Sequence, residues 1–576
     1  MLETIKKPYV QAFLIFVFLT LLYLNSYIVN FNKPINFDHE DTYLVNLTLK
    51  HYMHVFTSGS FGDLAQAPMF YGFKNSLSFT DSYFMQALQA FPIYLLISKN
   101  IIVVTNMVNI LTILASLMAM YILIFYFTKS QILSILGSII YVFNPYVSAH
   151  FPEHQMLFSV QWIPLIFLFF EKSLELQSRR NLFLFFLFLT CQLLSSLYYA
   201  VFLTVILPLY ISLRILQKKV KLKKFINLGS VLGLLFFFSV VLISAHFYLQ
   251  TFSNESIHRG LEETNIYSAK PIDLFLNLNT RNVLYSKLAQ ELGLETELVL
   301  VSSETTYFWG ITVWVLFIII SILVIRNFRK YQYLFLLLLL IIFCVLFSFG
   351  PQIAFGDNFK IPGPYLFFYK IDPLVRFLRA PPRIAAFIFF FLALFICLSL
   401  PHLTRILGSF KKKVLYLIIT LFILIEYWNK PLGFINITNE QKHFYEVLNN
   451  QSQIKVILNL PIGYQIYTYP EGTLGDNVDY HYLLWASALH SKNLFNGSSG
   501  FIPDEYTRRV IYLRDQFPTM SKIEKLKSWG VDGIVLNREE YSRPQEFDLT
   551  SDLLNELGVK KVIQTPNLVL FDLTRK

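Results

Sequence analysis

Residues 384–400 read IAAFIFFFLALFICLSL and carry no charge. Residues 334–347, LFLLLLLIIFCVLF, are of the same kind. Such blocks lack the polar stripe of a surface helix, and several approach the ~20 residues that a helix needs to cross a bilayer. They predict a polytopic α-helical membrane protein.

The composition of the whole chain agrees with this prediction. Hydrophobic residues make up 55% and charged residues 15% of the 576 positions, whereas a soluble protein carries ~25% charged residues. The net charge is +11. Because the basic residues collect in connections predicted to face the cytoplasm, we attribute this charge to membrane orientation and expect no nucleic-acid partner.

We predict about eleven transmembrane helices in the cell (plasma) membrane, with a cytoplasmic N-terminus and an extracytoplasmic C-terminal part. Every predicted inner connection holds a basic residue, and the outer loops 144–156 and 194–199 hold none, as the positive-inside rule requires. Phe84–Ser98 is interpreted as an interfacial helix, since counting it as a crossing would invert every later loop. The predicted spans are 9–29, 101–128, 131–143, 157–171, 182–196, 197–213, 226–250, 307–325, 332–350, 383–400 and 412–429.

The sequence pattern predicts two domains. Residues 1–430 form the transmembrane domain, with large outer loops at 30–100, 251–306 and 351–382. Residues 440–576 form a soluble extracytoplasmic α/β domain. Its predicted elements are strands at 454–460 and 533–536, helices at 522–529 and 551–557, and two further strands before Leu573, with Gly530 and Gly558 at helix C-termini.

An acidic cluster, Asp38-His39-Glu40-Asp41, follows the first predicted span. Carboxylates are costly near hydrocarbon, and they are commonly functional there. One of them can act as general base on a hydroxyl, or the group can bind a divalent cation such as Mg²⁺ or Mn²⁺ through oxygen ligands. A solvated loop without a role is the alternative.

A basic cluster, Arg376-Phe-Leu-Arg379-Ala-Pro-Pro-Arg383, lies at the predicted outer mouth of the tenth span. Arginine binds phosphate through paired hydrogen bonds, and its planar group loses little freedom on ordering. Outer arginines also run against the positive-inside tendency. The cluster therefore predicts a seat for a phosphate or pyrophosphate group, with lipid-headgroup anchoring as the alternative.

Two other polar stretches are candidates for contacts. His150 and His154 are four residues apart in a short predicted outer loop, but Pro152 argues against a regular helix between them and no third zinc ligand is evident nearby. We expect a polar contact there rather than a metal. Residues 496–500, NGSSG, are either a substrate-facing loop or a connection.

Several short motifs follow one another along most of the chain. They are Glu40-Asp41-Thr42, Phe70-Tyr71, Leu77–Asp81, Phe143–His150 with His154-Gln155, Ser195–Tyr199, Gly363-Pro-Tyr365, Leu378–Arg383 and Asn496–Phe501. In this order they resemble the GT-C superfamily of integral-membrane glycosyltransferases, in particular a bacterial branch with a soluble C-terminal domain. Each motif is short, and the order says little about the substrate.

The resemblance implies transfer of a sugar from a polyprenyl-phosphate-linked donor to an acceptor at the outer membrane face. It implies Asp41 as the base of an inverting reaction, with Asp38 or Glu40 able to take that role. Arg376, Arg379 and Arg383 would bind the donor phosphate. Asp81, His150, His154, Gln155, Tyr365 and Asn496 would contact substrates. No metal ligand is assigned, and because members of the superfamily differ in metal dependence, the Mg²⁺ or Mn²⁺ requirement stays open.

Two rival functions remain. A transporter or flippase of a lipid-linked glycan would use the same arginine cluster, although charged residues in the predicted spans are scarce and no inverted repeat is seen. A non-catalytic envelope assembly protein is the other.

For the predicted glycosyltransferase, the acceptor is a glycan, a lipid or a protein.

Overall fold

A computed structural model describes most of the chain. The residues it describes are 2–36, 41–176, 178–218, 227–252, 259–275, 281–291, 304, 306, 308–355, 359–462, 480–541 and 543–574. They fold into two compact units, and each unit is built from three separate stretches of the chain. Unit 1 comprises 1–29, 109–242 and 258–432, and unit 2 comprises 30–108, 243–257 and 433–576.

Unit 1 is helical. Its helices are α1 (Leu2–Tyr23), α2 (Asn25–Val29), the larger part of α5 (Ile101–Thr128), α6 (Gln131–Val142), α7 (Pro145–His150), α8 (Gln155–Phe158), α9 (Trp162–Leu176), α10 (Arg179–Ser195), α11 (Leu197–Lys218), the larger part of α12 (Leu228–Phe252), α13 (Leu261–Ile266), α14 (Val283–Glu291), α15 (Ile311–Arg326), α16 (Gln332–Ser348), α17 (Pro364–Ile371), α18 (Ala385–Leu403) and α19 (Ser409–Glu426). A small antiparallel pair, β1 (Gln352–Ala354) and β2 (Lys360–Pro362), precedes α17.

The chain is a multi-pass membrane protein. Five helical stretches are long and apolar enough to cross a membrane: Ile101–Thr128, Gln155–Glu175, Leu197–Lys218, Leu228–Thr251 and Pro381–Leu403. Shorter apolar helices lie at Lys7–Tyr23, Phe84–Leu96, Gln131–Val142, Ile311–Arg326 and Gln332–Ser348. Each of the eleven predicted spans overlaps helix among the described residues, and how many of these helices cross stays a prediction.

Helix α18 forms the centre of unit 1. Its side chains from Ala385 to Cys397 are all buried, and it packs against α6, α15 and α16. The approach to α6 is close because α6 presents a glycine there: a Cβ on Gly137 would lie 2.9 Å from Cys397 Sγ. In contrast, most apolar side chains of α12 are exposed, as expected of a helix that faces lipid.

Unit 2 combines helices with a mixed sheet. Its helices are α3 (Asp41–Ser58), α4 (Phe84–Leu96), the remaining parts of α5 and α12, α20 (Asn439–Asn450), α21 (Tyr480–Ala488), α22 (Asp504–Arg514), α23 (Met520–Ser528) and α24 (Pro544–Glu556). The strands are β3 (Val456–Leu460), β4 (Asn493–Leu494), β5 (Gly533–Asn537), β6 (Lys560–Gln564) and β7 (Leu568–Asp572), in the order β4-β3-β5-β7-β6. Strand β3 runs parallel to β4 and β5, whereas β7 is antiparallel to β5 and β6.

The C-terminal elements lie close to their predicted positions. Strands β3, β5 and β7 are buried throughout because their residues are mostly Val, Ile and Leu, which is the pattern of a strand covered on both faces. Gly530 and Gly558 follow α23 and α24 with φ of +83° and +77°. A left-handed residue at this position ends a helix at little cost only when it lacks a Cβ.

The segment 65–80 is tied to the C-terminal part of the chain within unit 2. The amides of Phe70 and Tyr71 donate to the carbonyls of Asn496 and Leu494 at 3.1 and 3.0 Å, and the amide of Leu494 donates to the carbonyl of Pro68. Further along, Ser499 Oγ donates to the Phe79 carbonyl at 2.7 Å. These bonds extend the edge of the sheet at β4 and cover it.

Replacing Gly497 with alanine should destabilise unit 2, because a Cβ there would lie 2.4 Å from Phe70 Cδ1. Overpacking of this kind costs ~1–3 kcal/mol, so we expect a lower Tm for the purified full chain. Gly500→Ala is the matched control, since its Cβ would meet only the Phe79 carbonyl oxygen at 3.7 Å. Equal Tm values for the two variants would contradict this packing.

Candidate functional site

Arg383 and Glu304 form a buried ion pair in unit 1. Arg383 Nε donates to both carboxylate oxygens of Glu304, at 3.1 and 2.9 Å, and Nη2 donates to Oε1. The guanidinium lies 4.3 Å from the ring centre of Tyr198. Burial alone would raise the pKa of Glu304, but the adjoining Arg383 holds that pKa well below its usual range. The pair is therefore doubly ionised, and it fixes the turn of residues 381–384 that leads into α18.

A second cluster surrounds the carboxylate of Glu263. Arg259 Nη1 donates to Glu263 Oε1 at 2.7 Å, and Arg379 Nε lies 3.8 Å from the same oxygen. The Arg379 guanidinium also lies 4.1 Å from the ring centre of Tyr267 and donates to its hydroxyl. Two arginines therefore share the carboxylate of Glu263.

Arg376 extends this cluster toward solvent. Its side chain is exposed, and Nε donates to the Tyr369 carbonyl at 3.1 Å. The backbone joins it to the other arginines, because the Arg259 amide donates to the Arg376 carbonyl at 3.4 Å. We call Arg259, Arg376 and Arg379 the arginine cluster. Its donors have the geometry that suits phosphate oxygens.

Tyr365 holds the backbone of the segment that carries Arg376 and Arg379. It is fully buried, and its hydroxyl lies 3.0 Å from the Val375 carbonyl oxygen and 3.2 Å from that of Leu378. Its hydroxyl thus holds the backbone on both sides of Arg376. Contact of Tyr365 with a substrate stays a prediction.

The loop with His150 and His154 is ordered by its neighbours. Asn144 caps α7 by accepting from the Val147 amide at 2.9 Å. Arg281 Nη1 donates to the carbonyls of Ser148 and Phe151, at 3.1 and 2.7 Å. Both carbonyls lie at the C-terminal end of α7, where a cation is favoured. Arg281 therefore fixes the backbone that carries the two histidines.

The two histidine rings contact each other directly. His150 Nδ1 and His154 Nδ1 are 3.3 Å apart, so one donates to the other. Burial lowers the pKa of His150 well below its usual value, which keeps the ring neutral. Next to them, Gln155 Nε2 donates to Asn109 Oδ1 at 2.5 Å. The side chains of this loop thus contact one another and Asn109, and their contact with a substrate stays a prediction.

Three predicted site residues in unit 2 are among the described residues. Asp41 is the first residue of α3 and is partly buried; a helix N-terminus favours a negative charge at this place. Asp81 is buried, and its carboxylate accepts from the Ser82 amide at 2.8 Å. Asn496 is buried and bonds to the backbone of Asn459 through both its amide oxygen and nitrogen. This exchange ties Asn496 to β3.

Two other predicted residues, Asp38 and Glu40, lie outside the described residues. Conversely, the structure brings in residues that the sequence reasoning missed: Glu304, Glu263, Arg259, Tyr267 and Tyr198. Tyr198 lies in the motif Ser195–Tyr199, whereas the other four are isolated residues outside any motif. Carboxylates in the segment 251–306 could be expected to balance arginines in the segment 351–382, but no pattern in the sequence singles out Glu304 or Glu263.

Removing one member of the Arg383–Glu304 pair should destabilise unit 1 strongly. Glu304→Gln leaves an uncompensated buried cation, which costs ~3–5 kcal/mol, so we expect a clear fall in Tm of the detergent-purified protein. Changing both residues, as Glu304→Leu with Arg383→Met, should cost less than either single change. The control is Glu505→Gln, which breaks the exposed pair with Arg508 and should cost at most ~1 kcal/mol. Additive losses in the double variant would contradict the pairing.

Comparison with known proteins adds information about the fold. No protein-family model matches the sequence, and no curated protein matches it. The arabinofuranosyltransferase AftD from Mycobacteria superposes with a TM-score of 0.52 over 99% of this chain, at 13% sequence identity. This chain spans 40% of the length of AftD.

A second solved structure is similar at a lower level. ArnT from Cupriavidus metallidurans, bound to undecaprenyl phosphate, gives a TM-score of 0.49 at 11% identity, with 97% of this chain and 98% of ArnT covered. The assignment of the fold depends on AftD alone. AftD is an arabinofuranosyltransferase, and the chain accordingly has a fold similar to that of AftD over 99% of its length.

Proposed function

We propose that the chain is a membrane glycosyltransferase that moves a sugar from a polyprenyl-phosphate-linked donor to an acceptor hydroxyl at the outer membrane face. The observation that carries the proposal is the AftD-like fold over 99% of the chain, with the arginine cluster as chemical support. Because this chain spans less than half of AftD, the activity is argued from its own residues.

The arginine cluster is the proposed seat of the donor phosphate. Arg376 is exposed, and Arg379 shares the carboxylate of Glu263 with Arg259. As the bond from the sugar to the phosphate breaks, negative charge grows on the phosphate oxygens. Positioned guanidinium donors stabilise that charge without reorganising. Arg383, the third predicted phosphate ligand, is paired with Glu304 and in this proposal holds the segment in place.

The proposed general base is Asp41. The acceptor oxygen attacks the anomeric carbon, its proton passes to the Asp41 carboxylate, and the bond from the carbon to the phosphate oxygen breaks with inversion. A phosphate is already a good leaving group, so no general acid is needed. Asp38 and Glu40 are the alternative bases, and a Mg²⁺ or Mn²⁺ requirement is left to experiment.

The proposed topology places the reaction outside the cytoplasm. In this arrangement the N-terminus is cytoplasmic, and the loops 30–100, 251–306 and 351–382 lie on the outer side with the C-terminal part, residues 440–576. The support is the alternation of basic residues between predicted connections. The lipid-linked donor would then reach the arginine cluster laterally through the membrane.

Asp41→Asn should abolish transfer while leaving the protein folded, because an amide cannot take the acceptor proton. We would delete the gene, profile envelope glycans by mass spectrometry, and complement with wild type or variant. One sugar should vanish, return with wild type, and stay absent with Asp41→Asn at normal expression. Asp552→Asn, an exposed carboxylate on α24, is the control and should restore the sugar. Full restoration by Asp41→Asn would exclude Asp41 as base.

Arg379→Lys should slow transfer by ~10²–10³-fold, because one ammonium reproduces neither the paired hydrogen bonds nor the stacking on Tyr267. The measurement is the transfer rate of the purified protein with donor lipid. Arg326→Ala removes an exposed arginine at the end of α15 and should leave the rate unchanged. Equal rates for Arg379→Lys and wild type would remove Arg379 from the donor site.

A further inference from the structure

A surface cavity of about 380 Å³ lies in unit 2, apart from the residues assigned above. Its wall is formed by the segment 66–69, the segment 71–74, and Asn493 from the start of β4. The volume is near the lower end of the ~300–1,000 Å³ typical of small-molecule sites. The cavity is therefore large enough for a ligand of one or two sugar rings.

The segment that forms the wall is held in one conformation. Gln66 spans it, because its Nε2 donates to the Phe73 carbonyl at 3.0 Å and its Oε1 accepts from the Asn75 amide at 2.9 Å. Phe70 and Asn75 have φ of +52° and +54°, a region that costs a residue with a Cβ about 1–3 kcal/mol. Such strain persists only where the surroundings fix the backbone, and a fixed wall binds a ligand with little loss of entropy.

Three polar side chains of the cavity have no partner among the residues that the structure describes. They are the hydroxyl of Tyr71, the ammonium of Lys74 and the side-chain amide of Asn493. Together they supply a group that both donates and accepts, a cationic donor, and an amide with a donor and an acceptor side by side. This set matches a ligand with several hydroxyl groups.

Aromatic rings border the same cavity. Tyr71 is 36% exposed, and its ring lies against Gly530, where an added Cβ would be 3.1 Å from Tyr71 Cε1. Phe73 is half-buried, and the guanidinium of Arg509 lies 4.9 Å from its ring centre and 5.1 Å from that of Trp529. Rigid rings with a polar edge supply an apolar surface together with hydrogen bonds.

We propose that this cavity binds a carbohydrate and docks the acceptor glycan. The inference rests on the proposed glycosyltransferase function, which it deepens by naming the acceptor as a glycan. Sugar rings present C–H faces that pack on aromatic rings and hydroxyl groups that pair with amide, phenol and ammonium groups. A phosphate site would need more cations than Lys74, since Arg509 is engaged with Phe73, Trp529 and Glu505.

The test measures glycan binding separately from transfer. The probe is the end-labelled envelope polysaccharide fraction of the deletion strain, which retains any unmodified acceptor. The protein is the purified full chain carrying Asp41→Asn, so that binding is measured without turnover. We expect saturable binding that weakens at least ~10-fold in Tyr71→Ala and in Asn493→Ala, in line with ~1.4 kcal/mol per contact.

Two matched variants control for loss of fold and for general surface effects. Tyr512→Ala and Asn450→Ala change exposed residues of the same types outside the cavity, and both should bind like the parent. Absent binding, or binding unchanged by Tyr71→Ala and Asn493→Ala, would overturn the inference. The loss of a sugar from the deletion strain is measured independently, so the proposed function can stand while the glycan site fails, and the reverse can also be seen.

Discussion

The contact between Arg383 and Glu304 is the constraint on which much of unit 1 depends. It joins the turn that leads into α18 to Glu304, seven residues before α15, and it does so with both charges buried. Desolvating two charges is expensive, and the cost is offset only when the geometry is good and further contacts complete it. The paired bonds and the ring of Tyr198 meet that condition. The start of the central helix is thereby fixed in position.

A division of roles among the arginines follows from this constraint. Arg383 is buried and neutralised, Arg379 is half-buried and shares a carboxylate, and Arg376 is exposed. Exposure of the guanidinium therefore increases along the segment with distance from α18. Tyr365 holds the backbone of the same segment through two carbonyls. In the proposed donor site, a phosphate group would meet the exposed Arg376 first, on a backbone that is already held in place.

The helices and strands of this fold could be predicted from the sequence more fully than the contacts between side chains. Charge-free apolar blocks identified the helices of unit 1, and glycines at 530 and 558 marked helix ends, because both signals are local. The partner of Arg383 could not be predicted, since Glu304 is 79 residues away and no periodicity links the two. The backbone bonds of Tyr365 could not be predicted either, because a motif does not show whether a residue supports the backbone, contacts a substrate or does both. Two members of the arginine cluster, Arg376 and Arg379, were identified from the sequence. Arg259 was not, because the backbone bond that joins it to Arg376 depends on the fold.

The pairing of segment 65–80 with segment 494–501 also has a consequence for biosynthesis. The Ser499–Phe79 bond joins residues 420 positions apart, and almost all of unit 1 is encoded between them. The ribosome makes the earlier segment first and its partner about 420 residues later, so the earlier segment waits with unpaired backbone groups while most of unit 1 is synthesised. Long-range pairing of this kind is slow and leaves strand-like edges exposed meanwhile. The sheet edge of unit 2 can therefore be completed only after almost all of unit 1 has been made.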